Sequence, residues 1–89
     1  MDAKKIGSCI KRNRNKHKLS LEELAEQTGI SVDQLLLYEY GNKTPRFKEL
    51  VAISEAIHVP LLMLAKGGGH PIVMYMNEKG KRVERQEDY

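Results

Sequence analysis

The sequence predicts an all-α domain of five short helices, closed by a short C-terminal β-hairpin-like tail. Three observations predict it. Over 89 residues, good helix formers outnumber β-branched residues. Two helix-capping sequences, Ser20-Leu-Glu-Glu23 and Ser31-Val-Asp-Gln34, stand close together. Apolar residues recur at helical spacing as far as Gly67-Gly-Gly69, after which the period becomes that of a strand. With no Trp and one Phe, the core must be aliphatic. A chain of this length builds one core, placed here over residues 1–66, with 67–89 as a glycine hinge and tail.

Ile6, Cys9 and Ile10 share a face and predict a first helix from about Lys4 to His17. In the second helix the Ser20 hydroxyl satisfies a free backbone N–H while Glu23 reaches back, and Leu24 and Ala25 turn inward. Gly29 ends it, since a residue just past a helix adopts positive φ and glycine does so without strain. The third helix is expected over Val32–Tyr40, started by the second capping box and stopped by Gly41. Asn42-Lys-Thr-Pro45 is a turn. The fourth helix carries Phe47, Leu50, Ile53 and Ile57 on one stripe. Pro60 suits the first turn of a fifth, Leu61 to Ala65. Ile72–Met76 reads as a strand, Asn77–Gly80 as a turn and Lys81–Gln86 as its return. An isolated hairpin is only marginally stable, so this tail docks, pairs with another copy, or moves.

Charge is distributed unevenly. Residues 1–18 carry seven basic groups and one acid, residues 19–42 five acids and no base. A basic block is either a footprint for a polyanion or a solvated helix face. One cysteine excludes an intrachain disulfide framework. Cys9 is read as a small buried hydrophobe. His17, His58 and His70 lack metal-ligand spacing, and no nucleophile–base pair or paired carboxylates stand out. No enzymatic activity, metal or cofactor is therefore expected. No N-terminal stretch resembles a signal peptide, and no apolar run approaches the ~20 residues of a membrane span. The expectation is a cytoplasmic protein without a membrane partner.

Two short capped helices joined by a tight glycine-containing turn make a helix-turn-helix. At this point the chain resembles a known family. Leu19-Ser20, Glu23-Leu24-Ala25, Gly29-Ile30-Ser31, Leu35, Glu39 and Gly41 look like the lambda-repressor-like, or XRE, DNA-binding domain. Pro45, Leu50, Ile53, Ala56 and Val59 continue the pattern, which covers about residues 4–66. The resemblance implies a dimer on double-stranded DNA, with the third helix in the major groove and the second across the backbone. It implies base-facing Val32, Asp33 and Leu37 with Leu36 nearby, in a helix start that includes Ser31 and Gln34. It implies a phosphate contact at Leu21 and further contacts from Asn42, Lys43 and Arg46. It also implies a structural ion pair between Arg14 and Glu39.

This surface departs from the family's habit of Gln, Arg, Ser, Thr or Asn. Base reading relies on donors and acceptors, whereas Val and Leu contact only a thymine methyl and Asp33 accepts only from an amine. Lys43 and Arg46 are read as phosphate or minor-groove contacts, with solubilising charge as the alternative. Leu36 and Leu37 cannot both join Leu35 and Tyr38 in the core, so at least one is exposed. Leu62 and Met63 point outward as candidate dimer contacts, with Ile72, Met74 and Met76 of the first strand alongside them. His58, where the family often has Gly or Asn, is a cap. The expected function is a sequence-specific, dimeric DNA-binding regulator. The alternative is a protein partner bound through the apolar face of the third helix.

Overall fold

In a computed structural model the chain forms five helices and a two-stranded antiparallel sheet; residues 2–68, 72–76 and 82–86 are described. The helices are α1 (Ala3–Lys16), α2 (Leu21–Thr28), α3 (Val32–Glu39), α4 (Phe47–Ala56) and α5 (Leu61–Ala65). The strands β1 (Ile72–Met76) and β2 (Arg82–Gln86) pair in the register Met74 with Glu84. Residues of the expected turn, 77–80, and Gly69 lie outside the described residues.

Starts and stops follow local chemistry. The Asp2 carboxylate caps α1, accepting from the Lys4 and Lys5 backbone N–H groups at 3.0 and 3.3 Å. At α2 both halves of the Ser20–Glu23 box form. At α3 only one half does. The Ser31 hydroxyl accepts from the Gln34 N–H at 3.2 Å, but the Gln34 amide oxygen accepts from Lys43 Nζ at 3.3 Å and does not return to the cap. Tyr40 is the cap of α3 rather than its last residue.

Four of the five helices end in one device, a left-handed residue whose successor donates to the carbonyl five positions back. The pairs are Leu19 to Arg14, Asn42 to Leu37, Val59 to Ser54 and Gly68 to Met63, at 2.7–3.0 Å. The left-handed positions are Lys18, Gly41, His58 and Gly67. Gly67 and Gly68, expected as part of a hinge, thus finish α5, and Gly67 lies directly on Lys5 of α1.

Ile6, Cys9, Ile10, Leu24, Leu35, Ile53, Ile57 and Leu64 are fully buried and draw one core from every helix. Tyr38, Leu50, Val59 and Ile30 complete it. Phe47, expected on the inward stripe of α4, is instead 70 % exposed. It opens its helix, where the chain is still arriving from the Pro45 turn, so the stripe begins at Leu50. Burial pushes the Cys9 thiol up against the pull of the Arg12 charge and the Asn13 amide, which leaves it a neutral core side chain.

α1 lies unusually close to the end of α3. A Cβ on Gly7 would collide with the carbonyl oxygens of Tyr38 and Glu39, and one on Gly41 would stand 2.8 Å from the Lys4 Cα. Two glycines therefore let backbone meet backbone on either side of the α3 terminus.

Candidate nucleic-acid interface

α2 and α3 are joined by three residues, each with a task. Gly29 takes φ 73° and donates to the Ala25 carbonyl at 2.8 Å, which closes α2. Ile30 is 7 % exposed and pins the turn to the core. Ser31 caps α3. The Thr28 hydroxyl donates to the Leu24 carbonyl at 2.7 Å and accepts from the Ile30 N–H at 3.3 Å. The angle between the two helices is thus held by backbone conformation, an apolar anchor and two side-chain hydroxyls.

The far end of α3 is held by Arg14. Its Nε and Nη2 donate to Glu39 Oε2 and Oε1 at 2.7 and 3.1 Å, and its Nη1 donates to the Leu19 carbonyl at 2.8 Å. The two side chains are 11 % and 4 % exposed. One guanidinium thereby joins α1, the segment before α2 and the last turn of α3. The Glu39 hydrogen bonds hold the Arg14 pKa above its ordinary value. Arg14 is spent inside the fold and offers no charge to a ligand.

With Leu35 and Tyr38 buried, the outward side of α3 presents Val32, Leu36, Asp33 and Leu37. Val32 and Leu36 are half-buried, Asp33 exposed and Leu37 37 % exposed. Tyr40, expected as the end of this helix with no contact assigned to it, continues the same side at 67 % exposure. Leu21 is half-buried and packed on the core rather than standing free at the start of α2. The exposed acids of α2 are Glu22, Glu23 and Glu26.

Beyond α3, Asn42, Lys43 and Arg46 are all exposed. The loop that carries them is fixed from below by Glu49. Its Oε1 accepts from the Arg46 backbone N–H at 3.0 Å and from the Tyr38 hydroxyl at 2.7 Å. Burial alone would raise the Glu49 carboxyl. Those two hydrogen bonds and the charges of Arg46 and Lys43 outweigh it and hold the carboxyl below its usual value. Burial, then the same bond and the Glu49 charge, push the Tyr38 phenol up to about 12.

A protein-family model described as Helix-turn-helix (HTH_3) matches residues 10–64, from the middle of α1 through α5. The chain belongs to this helix-turn-helix family. Over 74 residues it is 34% identical to YqaE of Bacillus subtilis, an uncharacterized HTH-type transcriptional regulator. The match covers 83% of this chain and 62% of that protein, so the chain spans about three-fifths of its relative's length. Among solved structures it is similar to the clp gene regulator ClgR of Corynebacterium glutamicum, with a TM-score of 0.69 and 21% identity, over 75% of this chain and 71% of that one. It is also similar to the restriction-modification controller protein C.AhdI of Aeromonas hydrophila, with a TM-score of 0.67 and 22% identity, over 71% of this chain and 96% of that one. These likenesses show that the helix-turn-helix fold is shared.

Of the residues expected at a contact between copies of this helix-turn-helix chain, Leu62 is 75 % exposed. Met63 is half-buried and packs on the chain's own core. The side chains of Ile72, Met74 and Met76 lie outside the described residues. The rings of His17 and His58 meet edge to face with centroids 4.8 Å apart, joining the ends of α1 and α4. Forty-one positions separate them in the chain (58 − 17), and nothing in the sequence pattern announces the pair. No group of three or more metal-binding side chains occurs among the described residues, and no helix there is long and apolar enough to cross a membrane.

Proposed function

We propose that the chain is a sequence-reading, DNA-binding regulator of transcription. α3 enters the major groove and α2 lies across the backbone. Asn42, Lys43 and Arg46 meet phosphates beside the groove, which fixes register without specifying sequence. The observation that carries this reading is the immobilisation of α3. Arg14 and the two glycine contacts hold its end, the Gly29 turn holds its start, and its outward side is left uncovered among the described residues. A rigid helix with an open side, flanked by Lys43 and Arg46, is what groove binding needs. Membership of the family and the likeness to an HTH-type regulator support it. The chain acts as a homodimer joined through Leu62, which presents its two α3 helices to half-sites about one helical turn apart.

The interface is electrostatically lean, because α3 carries the exposed Asp33 and no basic residue and α2 carries exposed Glu22, Glu23 and Glu26 and no basic residue. Affinity then rests on few cations, and each one counts. Arg46→Ala should weaken binding to all duplexes alike and reduce the slope of log K against log salt by about 0.9. An unchanged slope and affinity would remove Arg46 from the contact set.

A further inference from the structure

The outward side of α3 has a chemistry that constrains what it reads. At helical spacing Val32, Leu36 and Tyr40 form one row and Asp33 and Leu37 a second beside it. Neither row contains Lys, Arg, Asn or Gln. The one amide on the helix, Gln34, has its oxygen engaged by Lys43 Nζ at 3.3 Å. The nearest buried cation, Arg14, is committed to Glu39 and the Leu19 carbonyl. The paired donors that recognise guanine, and the amide that recognises adenine, are therefore absent from this side. Apolar surface remains, with a single carboxylate and the hydroxyls of Tyr40 and Ser31 at the two ends.

Resting on the reading that α3 enters the major groove, we infer that this helix reads thymine C5-methyl groups through Leu37, Val32, Leu36 and Tyr40, while Asp33 accepts from one exocyclic base amine, of cytosine or adenine. Apart from the methyl, every major-groove base edge is polar. An aliphatic side chain pressed on a polar edge strips its water and returns no hydrogen bond. Pressed on a methyl, it buries apolar surface on both partners. Asp33 accepts only. It repels guanine O6 and N7 and thymine O4 and takes a hydrogen bond from the cytosine N4 or the adenine N6 amine. The half-site is therefore a short thymine run next to a base pair that turns a cytosine or adenine amine toward Asp33.

The test begins with selection from a random-sequence duplex library using the full chain at low salt. The winning duplex is then resynthesised with deoxyuridine in place of each thymidine, which removes one methyl and leaves pairing intact. Affinities are measured by fluorescence anisotropy. Each facing thymidine should cost about fourfold on conversion, the worth of one buried CH₂. Leu37→Ala should weaken the thymidine duplex and bring the thymidine-to-deoxyuridine ratio at one position close to unity, leaving the others unchanged. Asp33→Ala should erase the preference at one base pair. Leu37 and Asp33 are both exposed, so circular dichroism of the variants should match the parent. A winning half-site without thymines, or a duplex indifferent to deoxyuridine at every position, would overturn methyl reading while leaving sequence-selective binding intact. Failure to select any sequence would overturn the DNA-reading function and this inference with it.

Discussion

Replacing Arg14 with Met should remove a large share of the domain's stability. The substitution removes three hydrogen bonds, two of them to Glu39, and leaves the Glu39 carboxylate 4 % exposed with no counter-charge. Removing one partner of a buried pair costs about 3–5 kcal/mol, because the other charge is stranded. A domain of this size gains only ~0.05–0.15 kcal/mol per residue from folding, so that cost is a large share of its stability. At roughly 4–8 °C per kcal/mol, the midpoint should fall by some 12–40 °C. The assay is urea and thermal denaturation followed by far-UV circular dichroism. Arg14→Met combined with Glu39→Met supplies the control. It removes both charges at similar volume, and should regain most of the loss except the bond from the charged guanidinium to the Leu19 carbonyl, worth about 1.5–3 kcal/mol. If Arg14→Met alone cost less than about 1 kcal/mol, the pair would be behaving as an exposed ion pair does, and its role as the lock on α3 would be refuted.

Three further outcomes are expected. Tyr38→Phe should lower stability by about 1.5–3 kcal/mol, since the Tyr38 hydroxyl bonds a charged carboxylate. The raised phenol makes the parent's stabilisation complete below the unfolded value of ~10, and lost as pH rises through about 12. That alkaline loss should shrink in the variant. The lowered Glu49 carboxyl stabilises above its unfolded value and is lost as pH falls through the lower folded one, so acid unfolding of Tyr38→Phe should begin at higher pH. Gly7→Ala should cost about 1–3 kcal/mol in urea denaturation, because the new methyl meets rigid carbonyl oxygens; a neutral result would mean α1 can slide off α3. Leu62→Lys should leave stability within about 0.5 kcal/mol and convert dimer to monomer in sedimentation, whereas a persistent dimer would place the interface elsewhere.

Helix order and type were legible because the signals are local. Ser20 with Glu23, Gly29, Gly41 and Pro60 act within one turn of where they stand, and the stripe of Ile6, Cys9 and Ile10 repeats over neighbouring residues. What escaped the sequence was decided at long range or at an element's edge. Phe47 fits the spacing of α4, yet it opens the helix and faces out. Gln34 fits a capping box until Lys43, nine residues on, takes its oxygen. Gly7 looks like a weak point in a helix, and only the approach of the Tyr38 and Glu39 carbonyls explains it. The Tyr38–Glu49–Arg46 network spans two helices and the loop between them, so no single window contains it. The candidate interface was legible as a set of positions through resemblance. Its chemistry was legible through the residues that fill them, except at Tyr40, whose 67 % exposure at the helix cap no spacing announces.

Discrimination between duplexes tests the proposed function most directly. The full chain is titrated onto a labelled fragment from just upstream of its own gene and onto a scrambled fragment of equal composition, at low and near-physiological salt, with anisotropy as the readout. Expected is tighter binding to the native fragment at both salts, weakening steeply as salt rises because phosphate contacts release counterions. Equal, weak binding to both fragments that vanishes at physiological salt would contradict sequence reading by α3.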